Sequence, residues 1–257
     1  MRRIRCIAFH TFREAVRDRV LYNLVVFALL MVGSALLFGQ ISIGVERQVL
    51  INLGLTAISL FGMVIAIFVG VGLVAKEIDK RTLYTVLSRP VRRWEFIAGK
   101  YCGLAGTLLV NTGFMAVGFF AALLFLTRGF QRSDAGLLAA LWFIVLEFLM
   151  VTALALLFSS FSTTLESTLY TFLLAVTGTF AEDLHGYARL AHGIKHLAVT
   201  AAAYLVPNLA ALNVISRVAH AQPIAAGLIF YNTVYALSYA AAAVAGAVLI
   251  FERRNLK

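Results

Sequence analysis

Charged residues are scarce in this sequence, and their scarcity excludes an ordinary soluble domain. Only 13% of the 257 residues are Asp, Glu, Lys or Arg, whereas 61% are apolar, and the mean hydropathy is +0.91. Soluble domains are about half apolar and a quarter charged, so this composition does not suit a water-exposed surface. Membrane spans would use nearly the whole length, which leaves no room for a soluble catalytic domain. We therefore expect a single transmembrane domain over residues 1–257.

A nucleotide-binding motif is also missing. A P-loop has the pattern G-x-x-x-x-G-K-[ST], in which backbone amides hold the phosphates. The nearest approach is Gly99-Lys100, where Tyr101 replaces the hydroxyl residue and Trp94 replaces the first glycine. No hydrolase nucleophile motif is present either. We therefore predict that the chain binds no ATP or other cofactor, has no catalytic residues and is not an enzyme by itself.

What the sequence does contain is long apolar runs. In lipid, every backbone polar group must be paired inside its own segment, so runs of about 20 apolar residues are expected to be helices. Six runs occur, at residues 20–38, 50–75, 101–127, 136–158, 165–182 and 224–251. The first follows several arginines, as in a signal peptide, but no cleavage signal follows it, so we interpret it as a retained helix. The predicted fold is an all-α integral membrane protein with six transmembrane helices.

The uneven distribution of basic residues predicts the orientation. With the N-terminus in the cytoplasm, sixteen of the 22 Lys and Arg residues fall on the cytoplasmic side. The positive-inside rule therefore places both termini in the cytoplasm. Because the charges lie between the spans, the net charge of +10 does not indicate nucleic acid. Cys6 and Cys102 fall on the cytoplasmic side as well, so no disulfide framework is implied.

Two segments outside the spans have amphipathic patterns. Residues 1–19 alternate arginines with apolar residues at three-and-four spacing, which is typical of an interfacial helix with its cations toward anionic lipid head groups. The alternative is a cytoplasmic extension of the first span. Residues 183–223 predict an outer helical hairpin that breaks at Pro207, resumes with Asn208 as an N-cap and ends at Pro223.

Few polar residues lie where chemistry could occur. Glu147 is the one carboxylate well inside a predicted span, where an ionised group costs about 2.5–3.5 kcal/mol on insertion scales. Glu147 and Asn111 mark either a translocation path or a dimer interface, or else Glu147 only fixes helix packing. Asn111 and Thr107 are its candidate partners. Three histidines of the outer loop include an i, i+4 pair but lack a clear third ligand, so we predict no metal site. They are His185, His192 and His196.

The most informative segment lies between the second and third predicted spans, at residues 76–100. Because Pro90 disfavours helix at Arg89, we expect a short helix, a turn and the start of the next helix. Trp94 stands where an interfacial anchor is expected. Apolar side chains on the short helix would need a partner to cover them. They are Leu83, Tyr84 and Leu87. The alternative is an ordinary cytoplasmic loop whose basic residues only determine topology.

This segment resembles that of the type-2 ABC transporter permeases, in particular the multicopper-enzyme-maturation type of permease subunit. The shared pattern is E-x-x-x-(R/G)-T-L-x-x-x-L-S-x-P-V-x-R-x-x-F-x-x-G-K. In this chain it is carried by Glu77, Arg81, Thr82, Leu83, Leu87, Ser88, Pro90, Val91, Arg93, Phe96, Gly99 and Lys100. The resemblance implies a cytoplasmic coupling helix that docks on a separate ATP-hydrolysing subunit. This helix, the turn and the start of the next helix form an elbow, and Glu77 and Lys100 would lie near its membrane ends. The implied contact residues are Arg81, Thr82, Leu83, Tyr84, Leu87, Ser88, Arg89 and Pro90.

The resemblance also implies a function for the whole chain. It would be the membrane-spanning subunit of an ABC transporter in a prokaryotic inner membrane, working as a dimer of permeases with two ATPase subunits that bind ATP and Mg. Membrane lipid is the other expected partner. Short outer loops favour export. Two alternatives stay open: an ion-gradient secondary transporter, which usually shows several mid-membrane ionisable residues, and a non-transporting anchor or assembly factor.

Overall fold

The computed structural model describes residues 2–17, 26–27, 30, 33, 46–79, 93–127, 129, 134–183, 186, 200 and 206–253. These ranges contain seven α-helices of five or more residues and no strands. They are α1 (Arg2–Arg17), α2 (Glu46–Asp79), α3 (Arg93–Thr127), α4 (Ala135–Ser159), α5 (Thr164–Thr179), α6 (Ile215–Ala219) and α7 (Ala226–Arg253). A short 3-10 turn, Ala210–Leu212, precedes α6. The described part of the chain is therefore all-helical, as predicted.

Four of these helices are long and apolar enough to cross a bilayer. The spanning segments are Arg47–Gly72, Trp94–Phe125, Ala135–Ser159 and Ala226–Arg253. They correspond to the second, third, fourth and sixth predicted spans, so the prediction of a multi-pass helical membrane protein is confirmed. The fifth predicted span corresponds to α5, whose 16 residues fall short of the roughly 20 that a span needs. The first, at 20–38, lies mostly outside the described residues, so the number six stays a prediction.

α4 is the central helix of the bundle. Of its 25 residues, 17 are buried, and it packs against α2, α3, α5 and α7. Its sequence is apolar on all sides, which is typical of a helix surrounded by other helices. Phe143, Leu146 and Phe148 are completely buried. The core of the protein therefore lies around α4.

α2 and α4 run parallel and approach each other closely. A Cβ atom on Gly62 would lie 2.0 Å from the Phe148 ring, and one on Gly70 would lie 2.8 Å from the Ala155 Cβ. Small residues of this kind allow close helix contact in membranes. Both glycines therefore serve the packing of α2 on α4.

The two ends of the bundle differ in the elements they bring together. At one end, which we call the base, the first turns of α3 meet the last turns of α7 and lie near the end of α4. At the opposite end, the head, α2 and α4 begin, and Arg47 forms an ion pair with Asp134. These two residues tie the start of α2 to the start of α4.

Residues 207–219 lie at the head and bond to the helices there. The Leu209 N–H donates to the Gly178 carbonyl at the end of α5 (3.1 Å), and the Asn208 N–H donates to the Tyr235 hydroxyl oxygen of α7 (2.8 Å). This segment therefore links α5 to α7.

The outer hairpin predicted at 183–223 is described only in part. Its first arm falls mostly outside the described residues. In the second arm, the Asn208 Oδ1 accepts a hydrogen bond from the Ala211 N–H (3.1 Å), and the Asn213 Oδ1 accepts one from the Ile215 N–H (3.2 Å). The second arm is thus two short helical pieces rather than one helix. Their N-cap residues are Leu209 and Val214, so Asn208 lies one residue before the N-cap position predicted for it.

Candidate functional site

The predicted ATPase-contact residues lie outside the described residues. All eight, from Arg81 to Pro90, fall within the stretch 80–92. The structure describes the two helical roots of that stretch instead. The α2 root is residues 73–79, whose backbone includes Glu77, and the α3 root is residues 93–106. The candidate site is therefore built from these roots and the helices that hold them.

Both helices that flank the stretch are longer than a bilayer requires. α2 has 34 residues and α3 has 35, which gives each a length of about 50 Å at 1.5 Å per residue. The hydrocarbon core is only about 30 Å thick. Their uncharged parts, 48–75 and 101–127, stop at Lys76 and Lys100 respectively. Each helix therefore continues past its uncharged part on the side that leads into the predicted coupling segment.

One side of the α3 root packs against the end of α7. The Phe96 ring stacks on the Phe251 ring, with centroids 6.0 Å apart and an 18° angle between planes. Lys100 is only 2% exposed, and its Nζ lies 5.2 Å from the centroid of the Phe96 ring, which is a cation–π distance. Lys100, predicted as one end of the elbow, is therefore buried in the base. Trp94 is 41% exposed, as suits an interfacial anchor.

Another side of the α3 root packs against α1. A Cβ on Gly99 would lie 2.9 Å from the Ile7 Cβ, and a Cβ on Gly103 would lie 2.6 Å from the Ala8 carbonyl oxygen and 2.7 Å from the Thr11 Cβ. Later residues of α1 meet later residues of α3, so the two helices run parallel. Only glycine permits this approach.

The contact of α1 with α3 was not predicted from the sequence. The basic amphipathic pattern predicts an interfacial helix at residues 1–19, and a helix is present at Arg2–Arg17, but its inward side is covered by α3. Its position relative to lipid stays a prediction. The spacing Gly99-x-x-x-Gly103 is the signal that could have indicated a close helix contact.

Glu147 lies at the middle of α4, twelve residues from each end of the helix. It is 8% exposed, and its Oε2 accepts a hydrogen bond from the Ser59 hydroxyl of α2 (3.1 Å). Neither Asn111 nor Thr107 is its hydrogen-bond partner: the Asn111 Nδ2 donates to the Met115 Sδ (3.7 Å), and the Thr107 hydroxyl donates to the Gly103 carbonyl (3.0 Å). The contact that Glu147 makes is one of packing between α2 and α4. A part for Glu147 and Asn111 in translocation or dimerisation stays a prediction.

The three histidines of the outer loop, His185, His192 and His196, lie outside the described residues. Within the ranges that are described, no three or more His, Cys, Asp or Glu side chains form a group that could hold a metal ion.

The match to a known protein family covers almost the whole chain. Residues 5–256 match the family described as ABC-2 family transporter protein. No curated protein shows a significant match. The match extends far beyond residues 76–100, on which the resemblance rests, and it favours the ABC class over a secondary transporter; the multicopper-maturation subtype stays a prediction. Family membership implies an ABC ATPase subunit as partner and a membrane subunit that is not itself catalytic. The chain belongs to the ABC-2 transporter family, as the transmembrane permease subunit of an ABC transporter.

Proposed function

We propose that this permease converts ATP-driven motion of its ATPase subunit into substrate export, and that residues 76–100 are the place where the two subunits meet. The observation that carries the proposal is the length of the two roots. α2 and α3 both continue as helix beyond their uncharged parts toward residues 80–92. A displacement at those residues would reach the spans through helices rather than through a flexible loop, and helix shifts are a common means of switching.

The proposed assembly contains two permease copies and two ATPase subunits. ATP and Mg bind to the ATPases, since this chain has no P-loop. Each permease has six spans and cytoplasmic termini in a prokaryotic inner membrane. The excess of Lys and Arg at the N-terminus, at residues 76–100 and at the C-terminus supports this orientation.

Co-purification tests the docking site. Through a tag on the permease, the ATPase subunit is captured from membranes that contain wild type, Leu83→Asp or Arg89→Glu. We expect both substitutions to reduce the captured ATPase at least several-fold, because one places a carboxylate in an apolar contact and the other reverses a charge. Arg217→Glu is the matched control, since Arg217 is exposed on α6 at the head. Undiminished capture by both variants would overturn the docking assignment.

ATP turnover separates a transporter from a membrane anchor. In a membrane anchor, the ATP turnover of the bound ATPase would not depend on how the spans pack. For a transporter, Phe96→Ala should change the turnover of the complex in proteoliposomes several-fold while the ATPase stays bound, because it removes the stacking of Phe96 on Phe251 in the base. Unchanged turnover would favour the anchor.

A further inference from the structure

The contact between α1 and the α3 root is interlocked at the level of the backbone. The Ala8 carbonyl oxygen lies 2.6 Å from the position of a Cβ on residue 103, and the Ile4 carbonyl oxygen lies 3.3 Å from that of a Cβ on residue 99. A backbone oxygen cannot rotate away as a side chain can. Any sliding of α1 along α3 would bring these carbonyls against neighbouring side chains, so the pair has one good register.

α2 belongs to a different packing unit. Along its length α2 is held by α4, through Gly62 against Phe148 and Gly70 against Ala155, and through the Ser59 hydroxyl on Glu147. The two helices that lead out of the predicted coupling segment are therefore held by different partners. α4 holds α2, whereas α1 and the end of α7 hold α3.

The contacts of α3 with α2 and α4 are made by large side chains rather than by close approach of the backbones. They include the packing of Leu104 with Leu156, beside Val69 and Tyr101, and the hydrogen bond from the Tyr101 hydroxyl to the Leu149 carbonyl (3.2 Å). Large side chains can change rotamer, and packed helices slide past each other by about 1–2 Å in many switching proteins. α3 can thus shift against α2 and α4 more easily than against α1.

We propose that α1 and α3 move as one rigid pair, a two-helix lever, when the ATPase displaces the coupling segment, and that Gly99 and Gly103 are the positioning residues that hold the pair together. The inference rests on the proposed function, because it requires an ATPase that acts on residues 76–100. It gives α1 a part in energy coupling that its basic amphipathic sequence does not indicate.

The two natural cysteines offer a direct measurement. Cys6 lies on α1 and Cys102 on α3, both are free and exposed, and the chain has no others. Spin labels on both report the distance across the pair by electron paramagnetic resonance. The complex with its ATPase is compared without nucleotide and after trapping with ATP and vanadate. We expect the distance to change by less than ~1 Å, below the usual range of helix shifts.

A second label pair reports motion between the two packing units. Phe68 is an exposed residue of α2 (63%), and Phe68→Cys in a Cys6→Ser background is labelled together with Cys102. This distance should change by about 1–5 Å on trapping. A matching change between Cys6 and Cys102 would overturn the lever. So would constancy of both distances, because α3 would then not move against α2. Failure of the proposed function is distinct from either result, since no ATPase would co-purify.

Substitution of Gly103 tests whether the glycines hold α1 and α3 together. Gly103→Leu should lengthen and broaden the Cys6–Cys102 distance distribution and lower ATP turnover several-fold with the ATPase still bound. Gly113→Leu on the same helix is the matched control, because a Cβ on Gly113 meets no atom within 4 Å. If Gly103→Leu fails to fold, Gly103→Ala should produce a smaller change in the same direction. Wild-type distances and turnover in the folded Gly103 variants would overturn the proposal.

Discussion

α4 and α5 are neighbouring helices that bury opposite kinds of residue. α4 surrounds itself with other helices and buries large side chains such as Phe143 and Phe148. α5 turns a narrow strip of small residues to the bundle and leaves its large side chains outside: Leu165 is 80% exposed and Phe172 is 51% exposed. The buried strip is Ser167, Thr171, Ala175 and Gly178.

The difference shows what selects the inward face of a membrane helix. Lipid tails are as apolar as leucine, so an exposed leucine carries no hydrophobic cost, and close packing and hydrogen bonds decide which side faces the protein. In α5 close packing decides, since the buried Thr171 hydroxyl donates within its own helix, to the Ser167 carbonyl (2.7 Å). The large outer face of α5 is left for lipid or a second permease copy.

Removal of a large side chain from each helix should show the difference between α4 and α5 most clearly. Phe148→Ala in α4 should lower the free energy of unfolding by about 3–5 kcal/mol, because the ring is fully buried against Gly62. Phe172→Ala in α5 removes the same group from an exposed site and should change it by less than about 0.5 kcal/mol. Denaturant titration of the purified protein in detergent measures both. Equal losses would mean that the outer face of α5 is as closely packed as the core.

Enlargement of a small residue should have the next largest effect. A Cβ on Gly178 would lie 2.7 Å from the Pro207 carbonyl oxygen and 2.9 Å from the Leu209 Cγ. Gly178→Leu should therefore cost about 1–3 kcal/mol by overpacking and should separate α5 from the head. Thermal unfolding in detergent measures the loss, with Gly113→Leu as the unstrained control. A wild-type midpoint for Gly178→Leu would show that the strip on α5 is not closely packed.

The polar contact of α4 should matter less than its apolar contacts. Ser59→Ala removes the donor to Glu147 and should cost about 0.6 kcal/mol, the average for hydrogen bonds between membrane helices, and at most about 1.7 kcal/mol. In a Glu147→Leu background the same change should cost almost nothing, because the acceptor is already gone. This double-mutant cycle isolates the interaction energy between Ser59 and Glu147. Equal costs in both backgrounds would mean that Ser59 acts through packing alone.

The smallest effect is expected on the outer face of α5. Leu169 is 51% exposed, and Leu169→Ala should change the unfolding free energy by less than about 0.5 kcal/mol. Light scattering behind size-exclusion chromatography then distinguishes the two ways of covering this face. A lower dimer fraction at dilute protein would assign it to a second copy, whereas an unchanged fraction would assign it to lipid.

Much of the fold could be predicted because insertion into lipid imposes simple rules. Long uncharged runs such as 101–127 have to be helical, so four spans and the central position of Glu147 follow from length and hydropathy. Side-chain partners follow no such rule. Ser59 and Glu147 are 88 positions apart in sequence, and no spacing connects them.

The candidate site was harder to predict than the fold. The apolar side of α1 could face lipid or protein equally well, since both are apolar, so periodicity alone favoured an interface helix over a contact with α3. Lys100 illustrates the same limit, because a cation at the end of an uncharged run suggests solvent, yet the side chain is 2% exposed. Only neighbours from distant parts of the chain, such as Phe251 beside Phe96, decide such cases.

The contact between α1 and α3 also sets an order of events during synthesis. Ile7 and Gly99 are about 90 positions apart, and chains emerge from the ribosome N-terminus first. α1 is therefore made long before the surface that covers it, and its apolar side has to wait in water or against lipid until α3 is inserted. A stalled or truncated chain that ends before Gly99 would leave that side without the surface that covers it in the complete bundle.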